Sequence, residues 1–294
     1  MGSKRKLANK ILSKILLDNP NTTTIYDLFG GGGAISFNAL QRGLNTHYNE
    51  FNTCVYELLK DLRDNGFREE YWQWIDRDTF NKHKEDNTWF GGMISTCWSF
   101  GNNKNKGYLY GKEVESLKKL ATEMIFGETE TDRELKRVEL SNILNIEVPK
   151  GILNGGLFGY NRTEARKKLS RFMVQYVDEN DRGLTQIQSI QQLQQLQQLQ
   201  QLKITNLSYE KVQIATPVNE TILYLDPPYK DTVKYKNDID HNELKEYIHN
   251  SQYKIYLSSY ENVYEMSEVA TFSHRCSLSA TSNNEVVERL FIND

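Results

Sequence analysis

In residues 22–50 four consecutive glycines stand between a strand pattern and a helix pattern. This stretch constrains the fold more than any other. TTTIYDLFGGGGAISFNALQRG predicts a β-rich strand, a glycine turn and a helix that stops at Gly43. NTHYNEFN then predicts a second short strand that ends in an acid. Two strands joined through a helix run parallel in one sheet, since tight turns join only antiparallel strands. We therefore predict the start of a parallel α/β sheet.

Strand patterns return near the C-terminus. KITNL, TILYL and YKIYLSSY are predicted strands, HNELKEYIHNS is a predicted helix, and SHRCSLS and ERLFIND are compatible with an antiparallel edge. Between them the chain has helical patterns and glycine-containing loops without strand alternation. The sequence thus predicts one α/β catalytic domain formed by residues 1–65 and 200–294, with a largely helical insertion at 66–199.

The insertion ends in a leucine and glutamine repeat, residues 186–202. Its apolar side chains recur every third residue, so in an α-helix they travel around the circumference and cannot share one face. A helix with three residues per turn would align them, and LQQLKITNL also resembles a leucine-rich repeat that leads into a strand. The favoured interpretation is a repetitive segment without chemistry of its own; glutamine-rich contact with nucleic acid is the weaker alternative.

Composition limits the partners that we expect. The 294-residue chain has a net charge of -3, so contact with nucleic acid requires local basic patches. Its three cysteines are far apart and lack zinc-ligand spacing, which predicts reduced thiols and no metal site. No stretch approaches the roughly 18 apolar residues of a membrane span. We expect a soluble intracellular protein that binds neither metal nor membrane.

An acid enters the glycine turn, in the order Asp27, Phe29, Gly31 and Gly33. Glycines let the backbone approach a ligand, whereas a carboxylate repels pyrophosphate and suits a cation such as the ammonium of a methionine moiety. Glu50, at the end of the second strand, is placed where a carboxylate can accept both hydroxyls of a ribose. Together the two acids favour an adenosine ligand with a cationic amino-acid part, S-adenosylmethionine.

Another acid ends the strand TILYL, in the tetrapeptide from Asp226 to Tyr229. Its two prolines stop the strand, and the strand end directs Asp226 toward the same crevice as the glycine turn. Asp226 and the carbonyl of Pro227 can accept from an exocyclic amine and turn its lone pair toward a methyl donor. Tyr229 can stack on the base that carries the amine. The alternative is a Pro-Pro turn that only closes a strand.

GSKRKLANKIL, DLFGGGG, YNEFN and LYLDPPY, in this order, resemble the Dam-like, phage and bacterial type of DNA N6-adenine methyltransferase. The resemblance covers roughly residues 2–62 and 200–294 and implies a Rossmann-like, S-adenosylmethionine-dependent methyltransferase sheet. The residues that it assigns to the cofactor are Lys4, Asp27, Phe29, Gly31, Gly33, Glu50, Asn206 and Asp226, with Asn206 standing where an acid is more usual. The residues that it assigns to the target adenine are Asp226, Pro227, Pro228 and Tyr229.

From the order of these motifs we expect the insertion, including its Leu/Gln repeat, to be the target-recognition region. Duplex DNA is the expected partner. Two glycine-containing stretches supply basic and aromatic side chains for the phosphate backbone. The candidate DNA contacts are Tyr108, Lys112, Arg162, Arg166, Lys167, Lys168 and Arg171. The alternative for such a charge run is a solvated helix face.

The predicted reaction is direct methyl transfer from S-adenosylmethionine to N6 of an adenine flipped out of duplex DNA. Two alternatives stay open: methylation of cytosine N4 or an RNA amino group, and a DNA-binding relative without turnover. The resemblance implies a cytoplasmic location in a bacterial cell or phage-infected host. It also leaves room for a cognate restriction endonuclease as a partner.

Overall fold

The chain divides into two compact units, residues 1–64 with 198–294 and residues 65–197. The assignment of residues 66–199 to target recognition stays a prediction. The computed structural model describes residues 4, 7–100, 105, 107–154, 159–177, 183–194, 199–228, 239–275 and 285–293.

The first unit contains a seven-stranded sheet in the order β3-β2-β1-β4-β5-β7-β6. The first five strands in this order are parallel, and β7 is antiparallel to both of its neighbours. The predicted Rossmann-like α/β sheet is confirmed. The strands are β1 (Thr24–Asp27), β2 (Asn45–Asn49), β3 (Lys203–Thr205), β4 (Thr221–Leu225), β5 (Lys254–Ser259), β6 (Ser267–Arg275) and β7 (Glu285–Ile292).

The C-terminal antiparallel pair is present, but β7 lies inside the sheet between β5 and β6. Its alternating side chains explain this position. Leu290 packs into the hydrophobic cluster on one face of the sheet, and Phe291 packs into the cluster on the other. A strand covered on both faces is stable in the interior of a sheet.

Helices cover both faces of this sheet. On one face α1 (Ala8–Asp18) buries Ala8, Ile11, Leu12 and Ile15, the spacing of one helical side. They pack in one cluster with side chains of α2 (Ala34–Gln41), β1 and β4. On the other face α10 (His241–His249) covers the remaining side chains of β1, β4 and β5. Helix α3 (Thr53–Asn65) follows β2.

In its described residues, the second unit consists of helices joined by turns. Leu120, Met124, Leu140, Leu169 and Phe172 are central to its hydrophobic core. No helix in the described part of the chain is long and apolar enough to span a bilayer. The helices are α4 (Arg77–His83), α5 (Trp89–Cys97), α6 (Lys112–Phe126), α7 (Glu130–Leu144), α8 (Arg162–Tyr176) and α9 (Thr185–Gln194).

The Leu/Gln repeat begins as an α-helix and continues into a tighter turn. Helix α9 buries Ile187, Ile190 and Leu193. Each side chain in this spacing is rotated by about 60° from the previous one, so three such positions can still share one face but six cannot. Before β3, Leu199–Gln201 form a 3-10 turn. Residues 195–198 lie outside the described part.

Candidate functional site

The strand ends bring the predicted acids to one edge of the sheet. Asp27 ends β1, Glu50 follows β2, Asn206 follows β3 and Asp226 follows β4. These four strands are parallel, so the four side chains share the carboxyl edge. This is the edge at which open α/β sheets bind their ligands.

Asn49 joins the loops at this edge. Its Nδ2 donates to the carbonyl oxygens of Leu28, at 3.1 Å, and Leu207, at 2.9 Å. Its Oδ1 accepts from the backbone N–H of Leu207 and the hydroxyl of Thr205. One buried amide therefore fixes the ends of β1, β2 and β3 relative to one another.

The glycine turn lies directly against the ring of Tyr48. A Cβ on Gly30 would lie 2.0 Å from Tyr48 Cε2, so only glycine fits there. The hydroxyl of Tyr48 donates to the carbonyl oxygen of Gly31 at 2.7 Å. Gly33, at φ +70°, precedes α2, and a Cβ there would meet the ring of Phe37. The turn is therefore a close-packed cradle of backbone.

Glu50 is held by the same cradle. The backbone N–H of Gly31 donates to its Oε2 at 2.7 Å, and that of Asn52 donates to its Oε1 at 2.8 Å. Burial raises the pKa of Glu50, and these two bonds oppose the rise. Each carboxylate oxygen keeps a lone pair for a further donor, so a pair of ribose hydroxyls is a chemically suitable ligand.

Asp27 is a deeply buried carboxylate, 2% exposed. Burial raises the pKa of Asp27 to about 7; hydrogen bonds from Ser36 oppose this rise and the charge of Asp226 adds to it. The hydroxyl of Ser36 donates to Oδ2 at 2.7 Å. No ion pair of Asp27 is found among the described residues, and a cation beside it would favour its charged form.

Asp226 lies in a chain of charged and hydroxyl groups. Its Oδ1 is 3.1 Å from Nζ of Lys4 and accepts from the hydroxyl of Ser258 at 3.4 Å. Lys4 is also 2.6 Å from Oε1 of Glu288. Burial opposes the charge of Lys4, but Asp226, Tyr224 and Glu288 outweigh it and raise its pKa. Burial raises the pKa of Asp226, and Lys4 and Ser258 oppose the rise.

β4 ends at Leu225, and the two prolines come directly after Asp226. Pro227 is buried and Pro228 is half-buried. Tyr229, the predicted stacking residue, lies outside the described residues. Phe29 is half-buried, with its ring centroid 5.4 Å from that of Tyr209. Among the described residues no group of three or more His, Cys, Asp or Glu side chains could hold a metal ion.

Asn206 contacts backbone in this structure. Its Nδ2 donates to the carbonyl oxygens of Glu50, at 2.6 Å, and Phe51, at 3.1 Å. Its amide thus fastens the loop after β2, whereas the sequence predicts that it contacts the cofactor's adenine. In that loop the ring of Phe51 is 52% exposed. An exposed aromatic ring directly after Glu50 can stack on a base.

The predicted DNA contact Tyr108 lies in the interior. It is 8% exposed, its hydroxyl donates to the carbonyl oxygen of Ile75 at 2.6 Å, and the guanidinium of Arg77 lies 4.8 Å from its ring centroid. A side chain with these partners is unsuited to contact DNA, so we do not propose it further. Lys112, the first residue of α6, is exposed.

The basic residues of α8 separate into two groups. Arg162 lies over the ring of Phe126, and Lys168 donates to the carbonyl oxygens of Gly151 and Asn154. Arg166 is half-buried, and burial lowers its pKa. Two of the five candidates on this helix are exposed. These two are Lys167, which pairs with Glu164, and Arg171.

Several residues at the site were not predicted from the sequence. Asn49, Ser258 and Glu288 are polar residues at the end of a strand or within one, and all three are buried. Each is one of several polar residues in its strand, so the sequence carried no signal that singled it out. Ser36 lies in the first turn of α2, directly after the glycine turn. Its hydroxyl at that position was the only signal for it in the sequence.

Comparison with known proteins adds a family to this geometry. A sequence profile described as D12 class N6 adenine-specific DNA methyltransferase matches residues 1–90 and 130–290. The matched residues include Lys4, the glycine turn, Glu50 and the segment from Asp226 to Tyr229. No curated protein matches the sequence.

Proposed function

Because the chain belongs to the D12 class N6 adenine-specific DNA methyltransferase family, we propose that it transfers a methyl group from S-adenosylmethionine to N6 of an adenine flipped out of duplex DNA. The main support is one observation: Asp27, Glu50 and Asp226 meet at the carboxyl edge of one parallel sheet, beside a glycine cradle.

The chemistry of the cradle fits S-adenosylmethionine. Asp27 offers a buried carboxylate to the ammonium group, Glu50 offers two acceptors to the ribose, and Phe51 offers an exposed ring to the adenine. Phe29, Gly31 and Gly33 complete the cradle, whereas the ammonium group of Lys4 pairs with Asp226 and Glu288. When bound, S-adenosylmethionine supplies an activated methyl group.

Asp226 and Pro227 position the target amine. Lys4 and Ser258 both contact Oδ1 of Asp226, so Oδ2 is the oxygen for one amine hydrogen. The carbonyl of Pro227, whose direction Pro228 fixes, accepts the other. Two acceptors turn the nitrogen lone pair away from the base ring, and Tyr229 stacks on the base. No covalent intermediate is required.

The test incubates purified protein and methyl-labelled S-adenosylmethionine with duplex DNA and, in a separate reaction, with RNA, followed by digestion to nucleosides. Label in N6-methyladenine supports the proposal. Label in N4-methylcytosine, or only in RNA, would instead establish one of the alternative amino-group methyltransferases. DNA binding without any label would identify a relative that lacks turnover.

Cofactor affinity should depend on pH through Asp27. In the free protein Asp27 has a pKa of about 7, so it is mostly protonated below that pH. The ammonium group of the ligand favours the charged form of Asp27, so binding releases a proton. The affinity therefore rises with pH, by at most tenfold per pH unit, and levels off above about pH 7. Calorimetric titration with S-adenosylhomocysteine from acid to neutral pH measures this. Asp27→Asn should remove the dependence, and a flat wild-type profile would contradict the role of Asp27.

The exposed cations of α8 should track the DNA backbone. We expect Lys167→Ala with Arg171→Ala to weaken duplex binding for all sequences and to reduce the salt slope by about two. Fluorescence anisotropy at several salt concentrations measures the slope. Lys136→Ala, which removes a half-buried cation of the same unit that pairs with Glu123 and Glu139, is the control. An unchanged slope in the double variant would exclude this helix face from the interface.

A further inference from the structure

Glu288 is a carboxylate in the interior of the sheet. It lies in β7, is 1% exposed, and is followed by the buried core residues Leu290 and Phe291. A buried charge is strongly unfavourable unless it is paired. Its pairing therefore indicates its role, and Nζ of Lys4 lies 2.6 Å from its Oε1.

Lys4 connects Glu288 to the proposed acceptor. The lysine is 8% exposed and precedes α1, where its carbonyl oxygen accepts from the N–H of Leu7. Its ammonium group lies 2.6 Å from Glu288 and 3.1 Å from Oδ1 of Asp226. One cation thus joins the middle of β7 to the end of β4, and the position of Glu288 sets where that cation lies.

We propose that Glu288 is a positioning residue that holds Lys4 against Oδ1 of Asp226, so that Oδ2 faces the target amine. This inference rests on the proposed function, because it assumes that Asp226 accepts from that amine. The positive charge of Lys4 is divided between two ion pairs, one with Glu288 and one with Asp226. Without Glu288 the ammonium group loses one of its two carboxylates, so we expect it to pair more strongly with Asp226 and to weaken Asp226 as an acceptor.

The first test is Glu288→Gln, which keeps the shape and removes the charge. In single-turnover reactions with labelled S-adenosylmethionine and duplex DNA, we expect methyl transfer to slow about tenfold. Calorimetric affinity for S-adenosylhomocysteine should change by no more than about threefold, since Asp27, Glu50 and the glycine cradle are intact. Glu288→Asp keeps the charge and should recover part of the rate. Glu268→Gln, an exposed acid of β6 that pairs with Arg289, is the matched control.

The second test asks whether Glu288 acts through Lys4. Lys4→Met removes the cation that pairs with both Glu288, which is buried, and Asp226, which is half-buried. Adding Glu288→Gln then removes one of the repelling charges, so the double variant should unfold at a higher temperature than Lys4→Met alone. If Glu288 had an independent structural role, Glu288→Gln would lower the unfolding temperature by the same amount in the wild-type protein and in Lys4→Met.

The outcomes separate this inference from the proposed function. If wild-type protein methylates adenine and Glu288→Gln does so at the wild-type rate, the positioning role is wrong. Additive unfolding temperatures would also overturn it. Failure of the wild-type protein to methylate any DNA would instead overturn the proposed function.

Discussion

Asp226→Ala is expected to slow methyl transfer by roughly a thousandfold, the largest loss at this site. The substitution removes the charged acceptor of the target amine, so the nitrogen lone pair is no longer directed. Asp27, Glu50 and the glycine cradle are unchanged, so S-adenosylhomocysteine should still bind. Lys4 keeps Glu288 at 2.6 Å, and the buried ammonium therefore does not lose its last carboxylate.

Single-turnover rates with labelled cofactor, together with calorimetric affinities, check this result. Asp226→Asn keeps the shape and one acceptor oxygen, so its rate should lie between those of wild type and Asp226→Ala. Asp64→Ala, which removes an exposed acid of the same unit, is the control. Near-normal transfer by Asp226→Ala would mean that the target amine has another acceptor.

The strand-end acids could be predicted because their signals are local. A glycine turn after β1, an acid after β2 and two prolines after β4 each mark where a strand stops. The βαβ order makes these strands parallel, so their ends must meet at one edge. Nothing about Asp27, Glu50 or Asp226 therefore required knowledge of distant contacts.

Glu288 could not be predicted because its partner is 284 residues away. In the sequence ERLFIND, a glutamate followed directly by Arg289 looks like a solvent-facing position of a strand. The structure places β7 between two other strands, and this placement turns that position into the interior. Asn49 is similar, since its role depends on loops that meet only in the folded sheet.

The exposure of the candidate DNA-contact residues was harder to predict because exposure is not a local property. Tyr108 follows a glycine, yet its ring packs 5.5 Å from that of Phe80, by centroids, and its hydroxyl is bonded inside the unit. Arg162 and Lys168 belong to a charge run, but long side chains can lie along the protein surface and bond to it. Only the folded helix distinguishes them from Lys167 and Arg171.

Gly30→Ala should lower affinity for S-adenosylhomocysteine by about 100-fold. The new Cβ would lie 2.0 Å from Cε2 of Tyr48, and that ring is fully buried on β2, between β1 and β3. We expect the buried ring to stay in place and the turn to move. Its movement takes the N–H of Gly31 away from Glu50 and disorganises the carboxylate that is proposed to hold the ribose.

Calorimetric titration of three variants tests whether the loss comes from the shape of the turn. Tyr48→Phe removes only the bond to the carbonyl oxygen of Gly31, so a loss of about fivefold is expected. Gly151→Ala places a Cβ in open space and should bind as wild type does. The affinity of Gly30→Ala for S-adenosylhomocysteine should be well below that of both Tyr48→Phe and Gly151→Ala. Because the clash involves one residue of the turn and one ring of β2, the rest of the sheet should keep its circular-dichroism spectrum. Wild-type affinity in Gly30→Ala would show that this turn does not hold the cofactor.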